Sequence, residues 1–154
     1  MRKKRIIEHM PSIKSVMTPF PHFIESTDPV RLAHQMMRKH EIRQLPVIDQ
    51  GKLVGIITER DVKYVLDPRL GQAADADLRV EDAHVSPAYV VVLSSPLDDV
   101  LFHMAKHHIG SALVVKPGKS GEKLAGIFTM TDACRSFGEF LRSIFPQTDD
   151  NSAA

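Results

Sequence analysis

The chain alternates between short extended apolar runs and stretches in which apolar residues recur three and four positions apart. The second spacing places side chains on one face of a helix, and it occurs once in each half of the chain. The residues concerned are Ala33, Met36, Met37 and His40, and later Leu97, Leu101, Met104 and Ala105. Each set is followed by two apolar runs around a turn, PVIDQGKLVGII and ALVVKPGKSGEKLAGIF, which predict antiparallel hairpins.

The two halves are copies of one unit. A shift of 67 residues superposes Ile13 on Val80, and a shift of 71 superposes GIITERD at 55–61 on GIFTMTD at 126–132. The offset grows because KPGKSGEK replaces the shorter DQGK, and we expect the extra residues to form a longer loop. A Gly/Pro-rich turn accepts such an insertion at little entropic cost.

Each unit is predicted to have the order β-α-β-β-α, which gives an α+β fold of two pseudo-symmetric repeats. Short extended segments open the units at 23–24 and 89–93, and a closing helix spans 60–66 in the first unit. The second closing helix is longer and has an apolar face, formed by Ala133, Phe137, Phe140, Leu141 and Ile144. We expect this face to be buried in a homodimer.

The first helix of each unit begins near a proline. Thr27 or Asp28 is expected to cap the helix that starts at Pro29, and Ser95 the helix that starts at Pro96. The predicted organisation is therefore an N-terminal basic tail, a first repeat, a linker, a second repeat and a C-terminal tail. Their boundaries are 1–12, 13–66, 67–79, 80–145 and 146–154.

Composition limits the function classes. The chain has 154 residues, a formal net charge of +1 and 43% hydrophobic residues, as expected for a globular protein without bulk attraction to nucleic acid. Cys134 is the only cysteine, so a multi-cysteine zinc site is excluded. The apolar run at 88–93 is too short to span a membrane, and no signal-peptide pattern is present, which favours the cytoplasm.

The repeated Thr-x-x-Asp has two interpretations. Thr58 with Asp61, and Thr129 with Asp132, stand where a strand ends and a helix begins, so each pair resembles a capping box. The same place presents helix-start N–H groups that favour a phosphate. A carboxylate there can also accept hydrogen bonds from the two hydroxyls of a ribose. The pairs therefore predict either helix caps or two related ligand sites.

The ordered motifs VMTP at 16–19, KHEIRQLPV at 39–47, DQGKLVG and GIITERD resemble those of a CBS domain, the module named after cystathionine β-synthase. The segment 80–133 resembles a second, more divergent copy. The resemblance spans most of the chain, as a tandem pair called a Bateman module. It implies a sensor of an adenosine-containing ligand (AMP, ADP, ATP, NAD or S-adenosylmethionine) that assembles as a disk-like dimer.

The resemblance also implies site residues. Thr58 and Asp61 in the first copy, and Thr129 and Asp132 in the second, match the family's ribose-binding pair. An adenine base is expected beside the opening strand and the segment before the next strand of each copy. These residues are His22, Phe23, Arg43, Gln44, Leu45 and Pro46 in the first copy, and Tyr89, Val90, Gly110, Ser111 and Ala112 in the second.

The two copies differ in charge around this site. Arg60 and Arg43 of the first copy can neutralise a phosphate, whereas Thr131 and Gly110 stand at the matching positions of the second. The second copy therefore lacks evident phosphate cations at these positions. We expect a phosphorylated nucleotide to prefer the first copy.

Other chemistries are weaker hypotheses. His103 and His107 share a helix face but lack further metal-ligand motifs, and Cys134 is expected to be a small buried side chain. A threonine and an aspartate without a base–nucleophile arrangement indicate a binding protein rather than an enzyme. The alternatives to a nucleotide sensor that regulates a partner are a structural dimerisation or adaptor module, and a nucleic-acid-linked regulator that uses the basic residues 2–5.

Overall fold

The computed structural model describes residues 10–70, 78–119 and 121–145. Its strands are β1 (Thr18–Pro19), β2 (Ile24–Glu25), β3 (Gln44–Asp49), β4 (Lys52–Thr58), β5 (Tyr89–Val92), β6 (Ser111–Gly118) and β7 (Gly121–Thr129). Its α-helices are α1 (Val30–His40), α2 (Glu59–Val65), α3 (Leu97–His107) and α4 (Met130–Ile144), with 3-10 turns at Ile13–Ser15, Pro68–Leu70 and Val80–Asp82. The order confirms the predicted α+β fold of two repeats.

Parts of the predicted organisation lie outside the described residues, namely 1–9 with the basic cluster, 71–77 of the linker and the tail 146–154. The boundaries between tails, repeats and linker stay predictions. Within the described residues, no helix has the length and apolar character needed to cross a membrane.

Each repeat builds a sheet around its hairpin. In the first repeat the strand order is β2-β3-β4, with β2 parallel to β3 and β3 antiparallel to β4. The second repeat has the same pairing among β5, β6 and β7, and β1 joins it as a fourth strand beside β7. Both hairpins have a register irregularity at the same place, Val47/Ile48 and Val114/Val115. The internal repeat therefore extends to the details of the backbone.

The four-residue insertion lengthens the second hairpin rather than its loop. Lys116 pairs with Lys123, and the ladder continues to Gly118 opposite Gly121. The expected long loop over 116–123 is therefore wrong. Strand pairing prevails because it gives partners to the backbone N–H and C=O groups that an open loop would leave to water.

The helix caps also differ from the prediction. Pro29 and Pro96 occupy the N-cap positions of α1 and α3, and neither helix has a side-chain cap. The side chains of Asp28 and Ser95 instead accept a backbone N–H from three residues earlier, at 3.0 and 3.2 Å. These side chains close the turn between strand and helix, and the proline occupies the N-cap position of the helix.

The buried face of α3 is rotated from the predicted one. Val100 and Met104 are buried and Leu97 packs beside them, whereas Leu101 and Ala105 are exposed. Residues 97, 100 and 104 also follow helical spacing, so the sequence offered two overlapping faces. In α1 the predicted face is correct for Ala33 and Met37, with Met36 packed against the core.

A leading segment opens each repeat and packs against the other repeat. The leading segments comprise residues 10–20 and 78–86. Ile13 N donates to Ser95 O at 3.0 Å, which joins the first leading segment to the second repeat. In the opposite direction, Val80 N donates to Asp28 O at 2.9 Å. Each of these four residues has its counterpart 67 positions away, so the exchange is reciprocal.

The exchange continues into the two hydrophobic cores. Val80 belongs to the core of the first repeat and Ile13 to the core of the second, and both are 0% exposed. A third cluster of Ile56, Leu113 and Ile127 lies between the two sheets. Each repeat therefore needs the other repeat's leading segment to complete its core.

The repeated glycine of GIITERD and GIFTMTD lies where a leading segment crosses a sheet. A Cβ on Gly55 would stand 2.5 Å from the carbonyl oxygen of Ser86 and 2.7 Å from Val85 Cγ1. On Gly126 a Cβ would meet the Met17 side chain, and Thr18 O at 3.0 Å. Gly55 requires glycine because the Ser86 backbone occupies the space of a side chain, whereas at Gly126 the tightest contact is the end of the flexible Met17 side chain, which can move.

We expect Gly55→Ala to reduce the free energy of unfolding by about 1–3 kcal/mol, the usual cost of overpacking. The clashing atom is a backbone oxygen, so it cannot turn aside without breaking the bridge between Ser86 and Ile56. Gly110→Ala is the control, since a Cβ there has no atom within 4 Å. Denaturant unfolding measures both, and equal stability of the two variants would contradict the crossing.

Candidate functional site

Each Thr-x-x-Asp forms a complete capping box at a strand-to-helix junction. At the first junction (58–61), Asp61 Oδ2 accepts from Thr58 N at 3.0 Å, and Thr58 Oγ1 accepts from Asp61 N at 3.3 Å. At the second junction (129–132), Asp132 Oδ2 accepts from Thr129 N at 2.8 Å, with the reverse bond at 3.3 Å. The capping interpretation is therefore confirmed at both junctions. It commits one carboxylate oxygen of each aspartate to its helix.

The first junction retains an accepting oxygen. Asp61 is half-buried, and its Oδ1 has no hydrogen bond from any residue that the structure describes. Arg60 and Arg43 are exposed beside it. The Arg43 carbonyl accepts from Glu59 N at 2.8 Å, so the predicted base-facing segment reaches the start of α2.

The local charges confirm this proximity. Lys63 Nζ lies 2.7 Å from Glu59 Oε1. This hydrogen bond lowers the pKa of Glu59 against the effect of desolvation, and the nearby Lys63, Arg43 and His34 lower it further. In the first turn of α2, the Glu59 carboxylate therefore lies close to basic side chains. It is also near Asp61 Oδ1, which accepts no hydrogen bond from a described residue.

At the second junction, side chains of the protein face both oxygens of the aspartate. Asp132 is 3% exposed, and its Oδ1 lies 3.4 Å from Thr18 Oγ1 and 3.3 Å from Arg135 Nη2. Alignment of the two repeats did not predict Arg135, because this residue lies at neither position that matches Arg60 or Arg43. A basic residue three positions after Asp132 on a helix was the available signal. The positions that match Arg60 and Arg43 carry Thr131 and Gly110, and the cation that lies near Asp132 is Arg135, which is paired with its carboxylate.

The opening strands carry ring stacks. The ring of His22 stacks on His40 at 3.7 Å between centroids, and that of Tyr89 on His103 at 4.2 Å. Desolvation, followed by the charges of His22 and Lys39, lowers the pKa of His40. His22 and Tyr89 are equivalent under the 67-residue shift, so both repeats present an aromatic face there.

The remaining predicted residues divide into accessible and buried ones. Phe23 and Val90 are exposed to 48% and 41%. The side chains of Leu45, Pro46 and Ala112 are buried, so these residues can meet a ligand only through their backbone. The Gly110 carbonyl accepts from Met130 N at 3.2 Å. This bond is the counterpart of the one from Glu59 N to the Arg43 carbonyl in the first repeat.

One hydrogen bond joins the two junctions across the pseudo-twofold axis. Gln44 pairs with Thr58 in the first sheet, and Ser111 pairs with Thr129 in the second. The Ser111 hydroxyl donates to Gln44 Oε1 at 2.9 Å. Since Gln44 and Ser111 are equivalent under the repeat, the two candidate sites lie side by side.

Other candidate chemistry finds less support. His103 stands between Tyr89 and His107 in a stack, and no group of three or more potential metal ligands occurs in the described residues. Cys134 is exposed, so the prediction of a buried side chain is wrong. Two clefts have volumes of about 270 and 280 Å³, one lined by Arg31, His34, Gln35 and Leu66, the other at the end of β5 beside the long hairpin.

Solved structures of similar fold include two with adenosine-type ligands. The CBS domain pair of protein MJ0100, in complex with 5′-methylthioadenosine and S-adenosyl-L-methionine, is 27% identical with a TM-score of 0.71. The alignment covers 86% of this chain and 99% of that one. CBSX2 in complex with AMP is 25% identical with a TM-score of 0.68, over 85% of this chain and 98% of that one.

Sequence comparison gives the same family. L-aspartate semialdehyde sulfurtransferase of Methanocaldococcus jannaschii is 29% identical over 127 residues, which are 82% of this chain but only 23% of that protein. The CBS domain model matches residues 13–67 and 80–139, one segment in each repeat. The chain therefore belongs to the CBS domain family and carries two of its repeats.

Proposed function

We propose that the protein is a ligand-sensing module that binds an adenosine-containing nucleotide at the first junction. The observation that carries this proposal is the free Oδ1 of Asp61, held at a helix start by its own capping box. A ribose hydroxyl can donate to this oxygen without displacing a protein group. Arg60 and Arg43 stand beside it to receive a phosphate.

The relatives support an adenosine ligand. The CBS pairs of MJ0100 and CBSX2 were solved with methylthioadenosine, S-adenosylmethionine and AMP, and this chain aligns with nearly their whole length. We infer that the protein acts in the cytoplasm and that its ligand is one of AMP, ADP, ATP, NAD or S-adenosylmethionine. The proposed role of the two junctions is binding. The output of the module is regulation of a partner protein.

Asp61→Asn tests the ribose contact. The asparagine oxygen can still accept the Thr58 N–H, so the helix cap is retained while the charge is lost. We expect AMP affinity to fall by about 1.5–3 kcal/mol, the scale of a hydrogen bond to a charged group. Calorimetry measures the change, with Asp132→Asn as the matched control that should leave the first junction unaffected. Unchanged AMP affinity in Asp61→Asn would leave Asp61 as a helix cap only.

Arg60→Ala tests the phosphate contact. We expect AMP to bind about two- to fivefold more weakly, as for an exposed ion pair, while adenosine affinity stays the same. The AMP effect should shrink at high salt because exposed charges are screened. Lys63→Ala is the control, since its charge is already paired with Glu59. Equal losses for AMP and adenosine would show that Arg60 does not meet the phosphate.

A dimerisation or adaptor role is the second candidate, and α4 favours it. Phe137, Phe140 and Ile144 are exposed to 61%, 45% and 50% along this helix. Apolar groups in such number on one helix are typical of an interface. The proposed occupant is a second copy of the chain, as the resemblance to dimeric CBS pairs implies.

Phe137→Asp combined with Phe140→Asp is expected to convert a homodimer into a monomer, because two charges cannot be buried unpaired across the axis. Light scattering at micromolar concentration measures the mass. Val54→Asp is the control, since Val54 is exposed to 50% on β4, away from α4. A monomeric wild-type protein would contradict the dimer.

A further inference from the structure

Both oxygens of the carboxylate at the second junction already face donors of the protein. Asp132 Oδ2 accepts from the backbone N–H and the hydroxyl of Thr129, both at 2.8 Å. Its Oδ1 faces Thr18 and Arg135, and the residue is 3% exposed. A carboxylate offers about four lone-pair sites, and here four donors approach them. A ribose hydroxyl can reach Asp132 only by replacing one of these donors.

Thr18 is the donor that the fold brings from outside the second repeat. It lies in β1, which pairs with β7 through Thr18 opposite Ile127 and Pro19 opposite Gly126. Phe20 N also donates to Ala125 O at 3.2 Å. The backbone therefore holds Thr18 beside the second junction, where its hydroxyl reaches Asp132.

The matching residue at the first junction leaves its aspartate free. Ser86 pairs with Ile56, which is the counterpart of Ile127 under the 71-residue shift, so Ser86 corresponds to Thr18. The Ser86 hydroxyl makes its hydrogen bond with His84 Nε2 at 3.1 Å. Tyr64 stands at the position that matches Arg135, so the first junction lacks that cation as well.

We propose that Thr18 is the specificity-determining residue that makes the two junctions unequal. With Arg135, it occupies the acceptor oxygen of Asp132, so a nucleoside with a free ribose diol fills the first junction before the second. The second junction accepts such a ligand only when the Thr18 hydroxyl gives up Asp132. This inference rests on the proposed function and assigns an order to the two sites.

The test titrates the full chain with adenosine, which has the diol and no phosphate. Backbone NMR signals of Thr58 and Asp61 report the first junction, and those of Thr129 and Asp132 the second. In the wild type, the first junction should respond at lower adenosine concentration. Thr18→Ala should raise affinity at the second junction about three- to tenfold, the range of one ordinary hydrogen bond, and leave the first unchanged.

Two controls separate the hydroxyl from the strand. Thr18→Ser keeps the hydroxyl and should behave as the wild type, and Ser86→Ala should change neither junction. Unchanged affinity at the second junction in Thr18→Ala, or equal filling of both junctions in the wild type, would overturn the inference alone. If no variant and no wild type binds adenosine, AMP or S-adenosylmethionine at either junction, the proposed function fails and the inference with it.

Discussion

The reciprocal crossing of the two leading segments is the constraint on which the rest of the structure depends. Each segment supplies a buried residue, Ile13 or Val80, to the core of the other repeat. Each also crosses close to a sheet, over Gly55 or Gly126, and at Gly55 the Ser86 backbone leaves no space for a side chain. The glycine and the Thr-x-x-Asp of the repeated motif therefore have different causes. The glycine makes room for the leading segment that crosses the sheet. The threonine and aspartate, of which the threonine follows the glycine by three residues, start a helix.

The crossing explains why the sequence predicted the elements better than their partners. Hydrophobic periodicity located the hairpins and helices, and the constant offsets of 67 and 71 residues between the two halves showed the repeat. The 67-residue offset aligned Ile13 with Val80. It could not predict which of the two cores each residue enters, because both cores are apolar and of similar composition. Periodicity was also ambiguous for α3, where two overlapping faces share Leu97 and Met104 and only packing selects the one with Val100.

The candidate site divides in the same way. Thr58, Asp61, Thr129 and Asp132 could be predicted because a capping box is local and its spacing is visible in the sequence. The surroundings of Asp132 could be predicted only in part. Arg135 stands on the same helix, but Thr18 is 114 positions away and reaches the site through a strand of two residues. Two motifs that look alike in sequence therefore differ in what their carboxylates can still accept.

The exchange of leading segments has a consequence for the origin of the molecule. A polypeptide with a single repeat would carry a leading segment that fits no groove of its own, and its own core would lack one residue. Two such polypeptides would complete each other by trading these segments around a true twofold axis. The present chain has the geometry expected when such a symmetric pair is joined by gene duplication and fusion. The two halves of the present chain are not identical, as the different contacts of Ser86 and Thr18 show.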